Sequence, residues 1–220
     1  RKLAHEIKNP LTPMLLSIDR IKEKYLSKFD DKENNFSTYL NTMTKQIKDI
    51  EFLLNEFSDF ARMPKPLFKK IDLCKPINET INLHKLSEKS IKFNLTKNAA
   101  NYYIKADEVQ LNRVFINLIK NSIESINEKK IKSVDLEGKI NIDIVEDSDY
   151  IFVTTTDNGI GFDQVDKKKM LTPYFTTKKK GTGLGLSIVT KIINDHNGTI
   201  LFNSINDGAK VEITLPKYYD

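Results

Sequence analysis

Four groups of residues in this 220-residue chain have types and spacings that could carry chemistry. The first is His5-Glu6, with Asn9 one helical turn later. An exposed imidazole with a carboxylate beside it suits a nucleophile or a proton carrier. The second is the pair Asn117 and Asn121, whose i, i+4 spacing stacks both amides on one helix face, with Lys120 next to them. Amide oxygens there could hold a hard cation such as Mg²⁺, which keeps several waters and bridges to phosphates. The third is Asp157-Asn158-Gly159-Ile160-Gly161, directly after a strand pattern. Its two glycines let backbone approach a flat ligand closely, and Asp157 could accept a hydrogen bond from an exocyclic amine. The fourth is the run from Lys178 to Leu186, Lys-Lys-Lys-Gly-Thr-Gly-Leu-Gly-Leu, which leads straight into a helix. Glycine-rich backbone at a helix N-terminus aims free N–H groups at an anion. That run is neither a Walker A loop nor a strand-preceded GxGxxG. Taken singly, each group has an ordinary alternative: a surface histidine, surface asparagines, an Asn-Gly turn, a flexible loop.

The elements that must position these groups follow from periodicity. Leu3, Ile7, Leu11, Met14, Ile18, Ile21 and Tyr25 have the spacing of a buried helical stripe over residues 1 to 27. His5 lies about 200° around the helix from both Leu3 and Ile7. Asn9 and Thr12 share its face. Pro10 and Pro13 predict a bend just after His5. A polar turn over 28–35 leads to a second helix with Phe36, Leu40, Met43, Ile47, Ile50, Leu54, Phe57 and Ala61 in a heptad seam. One antiparallel hairpin cannot cover two long seams, so the pattern predicts dimerisation into a four-helix bundle. Arg62-Met63-Pro64-Lys65-Pro66 is a stiff linker and the domain boundary.

Beyond it the pattern becomes mixed. Helices are predicted over 72–88, 107–129 and 184–196, the middle one with Val109, Val114, Leu118, Ile119, Ile123 and Ile126 on its apolar face. Strands are predicted over 91–96, 102–105, 139–145 and 150–155, with a hairpin of 199–203 and 210–215 around Asn206-Asp207-Gly208. Asn197-Gly198 stands where a helix terminates. The second domain is therefore α+β, with a mostly antiparallel sheet and helices on one face. A loop of more than ~20 residues between Asn158 and Gly183 is rare in a compact domain unless it is functional.

Composition excludes several function classes. The chain is 39% hydrophobic and 30% charged, enough for a core, and no apolar run approaches a membrane span. The single cysteine, Cys74, excludes an internal disulfide framework and a CxxC metal site, leaving a half-buried structural thiol as its expected state. The net charge of +5 is spread along the chain without a concentrated basic face, so nucleic acid is not expected as a partner and an anionic ligand or acidic partner is. His84 and His196 are lone histidines on predicted helices with no matching ligand partners, and structural or surface roles are expected for both. The opening residues read as the inside of an established helix, so sensor and membrane segments are expected outside this sequence.

In order and spacing the groups go together. His-Glu-x-x-Asn-Pro from His5, Asn-x-x-x-Asn from Asn117, Asp-x-Gly-x-Gly from Asp157, Phe175 in Pro-Tyr-Phe-Thr-Thr, and Gly-Thr-Gly-Leu-Gly-Leu from Gly181 resemble the H, N, G1, F and G2 boxes of sensor histidine kinases. AHEIKNPLTPMLLSIDRIKEKY, EFSDFARMPKP and PYFTTKKKGTGLGLSIV are similar to the NtrY-type nitrogen-regulation kinases within that family.

The resemblance implies a dimerisation and histidine phosphotransfer domain over 1–62, a linker over 63–69, and a catalytic ATP-binding α/β sandwich over 70–220. It implies that His5 is the phosphoacceptor, that Glu6 fixes its tautomer, and that Asn9 orients water for dephosphorylating a response regulator. It implies ATP and Mg²⁺ as cofactors, with Asn121 as the metal ligand, Asn117 beside it, and Asp157 as the adenine reader. Gly159 and Gly161 would shape the base site. Phe175 and the stretch Gly181, Thr182, Gly183, Leu184 and Gly185 would form the lid, with Lys178 the first of three lid cations. The implied partners are a second copy of the chain and the receiver domain of a response regulator. The implied place is the cytoplasmic part of an inner-membrane-anchored sensor. Many relatives carry a basic residue three positions after the metal asparagine, where this chain has Glu124; Lys120 or Arg113 could substitute. The gyrase and Hsp90 relatives of the same nucleotide fold use a glutamate as general base where this chain has Asn117.

Overall fold

The computed structural model describes residues 2–25, 35–61, 63–133, 135–162, 172, 175 and 183–219, with side chains described for these except at 2–9, 35, 52, 56 and 59–61. The chain divides into two compact units, Arg1–Pro64 and Lys65–Asp220.

The first unit is a pair of helices, α1 (Lys2–Tyr25) and α2 (Asn35–Ala61). α1 continues as one α-helix through Pro10 and Pro13. Ser17 Oγ donates to the Pro13 carbonyl at 2.8 Å. The helices pack on each other through buried Leu11, Ile18 and Leu40, and Lys22 Nζ reaches Thr44 Oγ1 at 3.2 Å. The polar turn predicted over 28–35 lies outside the described residues, except for Asn35 itself.

The second unit is a layer of helices on a sheet. Its helices are α3 (Cys74–Ser87), α4 (Glu108–Lys132) and α5 (Gly185–Asp195). Its strands are β1 (Lys69–Asp72), β2 (Ile91–Lys97), β3 (Tyr103–Ala106), β4 (Gly138–Glu146), β5 (Tyr150–Asp157), β6 (Thr199–Ile205) and β7 (Gly208–Pro216). Five of them form a sheet in the order β2-β4-β5-β7-β6. Alternation fixes which face is covered. In β5, Ile151, Val153, Thr155 and Asp157 are buried while the residues between them are not, as a strand with one helix-covered face requires.

The sheet is antiparallel except at β2–β4, which run parallel from Ile91↔Gly138 to Lys97↔Ile144. A parallel pair needs a long crossover, and β3 with α4 supplies it. Four expectations change. β1 is a strand the sequence pattern does not reveal, paired with β3 in a separate two-stranded ribbon. Asp72 therefore ends a strand instead of opening a helix, and its Oδ1 accepts from the N–H groups of Cys74 and Tyr102, both at 3.0 Å. Val109 is 78% exposed; nine residues before Leu118, it stands about half a turn away from the core stripe. Cys74 is buried where a half-buried thiol is expected, and that burial, with Asp72 beside it, pushes its thiol pKa up.

α4 begins at a well-made cap. Asp107 Oδ1 accepts from the N–H groups of Val109 (3.0 Å) and Gln110 (3.1 Å), and Oδ2 accepts from Leu67 N–H at 2.9 Å. Buried His196, just past the end of α5, accepts from Asp107 N–H through Nε2 at 2.9 Å and donates from Nδ1 to the Ile192 carbonyl at 2.8 Å. His196 is thus a structural core histidine. α5 stops in a Schellman arrangement: Gly198 N–H reaches Ile193 O at 2.9 Å and Asn197 N–H reaches Asn194 O at 3.0 Å. The left-handed position is taken by Asn197 (φ 56°), so the asparagine and not the glycine of Asn197-Gly198 turns the chain. Asp107→Ala removes the cap and one further charged hydrogen bond. It should lower unfolding free energy by about 2–3 kcal/mol, read from urea denaturation.

Candidate active site

α4 carries the site. Its core stripe includes Leu111, Val114, Phe115, Leu118, Ile119, Ile123 and Ile126, all buried. On an adjoining face stand Asn117 and Asn121. The Asn117 amide nitrogen donates back to the Arg113 carbonyl at 2.8 Å, leaving its oxygen toward the start of α5. A Cβ placed on Gly185, the first residue of α5, would lie 3.1 Å from Asn117 Oδ1 and 3.9 Å from Asn121 Nδ2. The start of α5 and the asparagine pair are thus immediate neighbours. Gly183, two residues earlier, has φ 68°, in the left-handed region where glycine is at ease.

A second stripe of α4, at Ser122, Ser125 and Lys129, grips the turn that follows β5. Ser122 Oγ donates to Asp157 Oδ2 at 2.8 Å. Ile160 N–H donates to Ser125 Oγ at 3.0 Å, and Lys129 Nζ donates to the Asn158 carbonyl at 3.0 Å. The same lysine forms a close pair with Asp207 in the turn between β6 and β7. Gly159 lies so close to α4 that an added Cβ would meet the Ser125 backbone carbonyl carbon at 2.7 Å. Gly161, at φ 77°, would put a Cβ 2.7 Å from the Gly208 carbonyl. Gly208 (φ 122°) in turn lies directly against the Asp157 carbonyl. The three glycines are required by close backbone approach from both sides.

Asp157 is buried, at 7% exposure. Oδ1 accepts from Gly159 N–H at 3.0 Å, and the Ala209 N–H also donates to the carboxylate. With Ser122, these donors use three of the roughly four acceptor positions of a carboxylate. Burial is the largest influence and pushes the Asp157 pKa up; the Gly159, Ser122 and Ala209 donors and the Lys129 charge oppose it. The result is a fixed, mostly desolvated acceptor, suited to reading one N–H of a ligand.

Of the residues singled out from sequence, Asn117, Lys120, Asn121, Asp157, Gly159, Gly161, Gly183, Leu184 and Gly185 are brought onto or beside α4. Lys120 is exposed, and Leu184 is buried and anchors the root of α5. Phe175 is half-buried, its N–H bonded to Thr172 O at 3.2 Å. Lys178, Gly181 and Thr182 lie outside the described residues. His5, Glu6 and Asn9 are in α1, and their side chains likewise lie outside the description. Ser122, Ser125, Lys129 and Gly208 escaped the sequence reading. The signal for the serines was present: two hydroxyls on the buried side of an apolar helix must find partners. His84 is half-buried, and burial followed by the nearby Lys120 charge lowers its pKa against an opposing effect of Glu88. Among the described residues no group of three or more His, Cys, Asp or Glu side chains could cage a metal.

Comparison with known proteins matches two families along the chain. Residues 1–66 match the His Kinase A (phospho-acceptor) domain, and residues 106–219 match the family described as histidine kinase-, DNA gyrase B- and HSP90-like ATPase. A putative NtrY-like sensor histidine kinase of Rickettsia prowazekii is 36% identical over 214 residues, 97% of this chain and 35% of that protein. The nitrogen regulation protein NtrY of Azorhizobium caulinodans is 35% identical over 98% of this chain and 28% of its own length. The chain thus spans about a third of the length of the curated relatives it matches. The crystal structure of the histidine kinase ThkA in complex with the response regulator TrrA superposes with a TM-score of 0.68 at 26% identity, covering 99% of this chain and 60% of that one.

Proposed function

The chain belongs to the sensor histidine kinases, and from that premise we propose that it transfers the γ-phosphoryl group of ATP to His5 and passes it to an aspartate of a response-regulator receiver domain. One observation carries the nucleotide half of this function. A single helix, α4, holds Asn117 and Asn121 against the first residue of α5 and Asp157 through Ser122. A purine amine at Asp157 and phosphates at the opening of α5 are thereby served by one rigid element. The α5 N-terminus contributes free N–H groups and the positive end of its dipole to the phosphates.

The domains are assigned as 1–62 for dimerisation and phosphotransfer, 63–69 as linker and 70–220 for catalysis. Neutral imidazole at His5 attacks the γ-phosphorus, the bond from that phosphorus to the β,γ-bridging oxygen breaks and ADP leaves, and Glu6 holds the other ring nitrogen in the proton-bearing form. The remaining task is positioning and charge neutralisation. The donor set fits Mg²⁺ delivered with the nucleotide: Asn121 offers a hard amide oxygen, and the described residues provide no acidic cage that would retain the ion alone. Bound there, the ion would neutralise phosphate charge. Lys120, Phe175, Lys178 and residues 181–185 complete the phosphate side.

Dimerisation is supported by apolar surface left on the helical pair. Met14, Met43 and Ile50 are 51%, 54% and 43% exposed although all lie on the seams. Pro10, Pro13, Met14, Ile18, Met43 and Ile47 line an open apolar groove of about 760 Å³. A second copy would cover that surface. Regulator binding is supported by the ThkA–TrrA complex. Use of ATP and of a receiver domain supports a cytoplasmic site for the reaction. Among the described residues no helix is long and apolar enough to cross a membrane.

Incubation with γ-labelled ATP and Mg²⁺ tests the reaction. An acid-labile, base-stable phosphoprotein supports it, and release of free phosphate alone would point instead to a plain ATPase. Asn9 is assigned to water positioning for the reverse activity. Asn9→Ala is expected to slow decay of the phosphorylated regulator roughly 10–100-fold while leaving autophosphorylation in place. An unchanged decay rate removes that assignment.

A further inference from the structure

The turn that reads the base is gripped from a second side, by the hairpin of β6 and β7. Ser204 on β6 holds both backbone groups of Phe162: Phe162 N–H donates to Ser204 Oγ at 3.2 Å, and Ser204 Oγ donates to Phe162 O at 2.7 Å. The Phe162 ring meets Phe202 edge-on, 5.9 Å between centroids at 88°. A hydroxyl can donate and accept through its single oxygen, as Ser204 does here. Phe162 directly follows Gly161, which packs on the Gly208 carbonyl of the same hairpin. Residues 157–162 are therefore held at one end by α4 and at the other by β6.

We propose that Ser204 is a positioning residue for nucleotide binding, setting the exit of the 157–162 turn and hence the fit of the base against Asp157. The inference rests on the assignment of that turn to ATP. Ser204 is exposed, so its two hydrogen bonds add little to global stability, and their effect is local to the turn. Its influence falls on affinity and base choice and leaves the phosphoryl-transfer step alone.

The test compares the 220-residue chain with Ser204→Ala and Ser204→Thr. ADP binding is measured by calorimetry, KM for ATP and kcat by autophosphorylation, and folding by thermal melting. The alanine variant is expected to bind ADP about 5–10-fold more weakly, because ordering the turn then costs part of the binding free energy. KM should rise with kcat at saturating ATP kept, and the preference for ATP over GTP should narrow. Threonine, which keeps the hydroxyl and suits a strand, should restore binding. Equal ADP affinity in parent and alanine variant overturns the inference. So does a fall in kcat at unchanged KM, or a lowered melting temperature that threonine does not rescue. Failure of the parent itself to bind adenine nucleotides overturns the ATP assignment on which the inference stands.

Discussion

Replacing His5 by glutamine is expected to reduce phosphate incorporation from γ-labelled ATP to the level of a protein-free blank while ADP affinity stays at the parent value. The imidazole nitrogen is the bond-forming atom, and a glutamine amide lends its lone pair to its carbonyl and cannot replace it. Nucleotide binding is assigned to α4, the 157–162 turn and the start of α5, none of which contains residue 5. The measurement is therefore paired: filter-retained label, with its stability to acid and to base, against calorimetric ADP binding. Label that survives acid, or that persists in the variant, would place the phosphoryl group on another side chain and sink the assignment of His5.

The second large effect is expected at Asp157. Asp157→Asn should weaken ATP and ADP binding roughly 10–100-fold, the worth of a hydrogen bond to a charged acceptor. The fold should survive with a melting temperature close to the parent's, because two changes oppose each other. Burial raises the Asp157 pKa, so the folded state binds its proton more tightly than the unfolded chain does. Ionised Asp157 consequently costs stability above the folded-state pKa, and that cost fades as pH falls through it. Asparagine removes the cost and loses a charge-assisted bond from Gly159, Ser122 or Ala209. In the parent, protonation turns the acceptor into a donor, so ADP affinity should begin to fall at a higher pH than an ordinary carboxylate would give. Affinity in the asparagine variant should be flat over the same window. Parent-like affinity in the variant would show that Asp157 is only a core residue.

Much of this site was legible through the combination of its groups. An imidazole beside an acid, glycines two and four residues after a strand-end aspartate, and three alternating glycines opening a helix each have an ordinary alternative when taken singly. Their order and spacing matched one family along the chain. What was not legible depended on partners far away in sequence. Ser122 and Ser125 look like ordinary helix serines until Asp157 and Ile160 are brought to them across 35 residues. Gly208 looks like a hairpin glycine until the Asp157 carbonyl is found against it. β1 carries too few residues to show an alternation, and only its pairing with β3 defines it. Val109 was misplaced because an apolar residue in the first turn of a helix was counted with the core stripe when its phase sets it half a turn away.

By itself the amino-acid order determined most of the elements and their faces: two seamed helices, a proline-containing connection, and alternating strands among amphipathic helices. Periods of 3.6 and 2 are local, so burial of one face is already written in neighbouring residues. Tertiary structure alone decided that β2 runs parallel to β4, that His196 closes on Asp107 across 89 residues, and that Gly185 arrives beside Asn117. Those meetings are selected by packing of whole faces and by the need of each buried polar group for a partner. No short window of sequence contains both halves of that bargain.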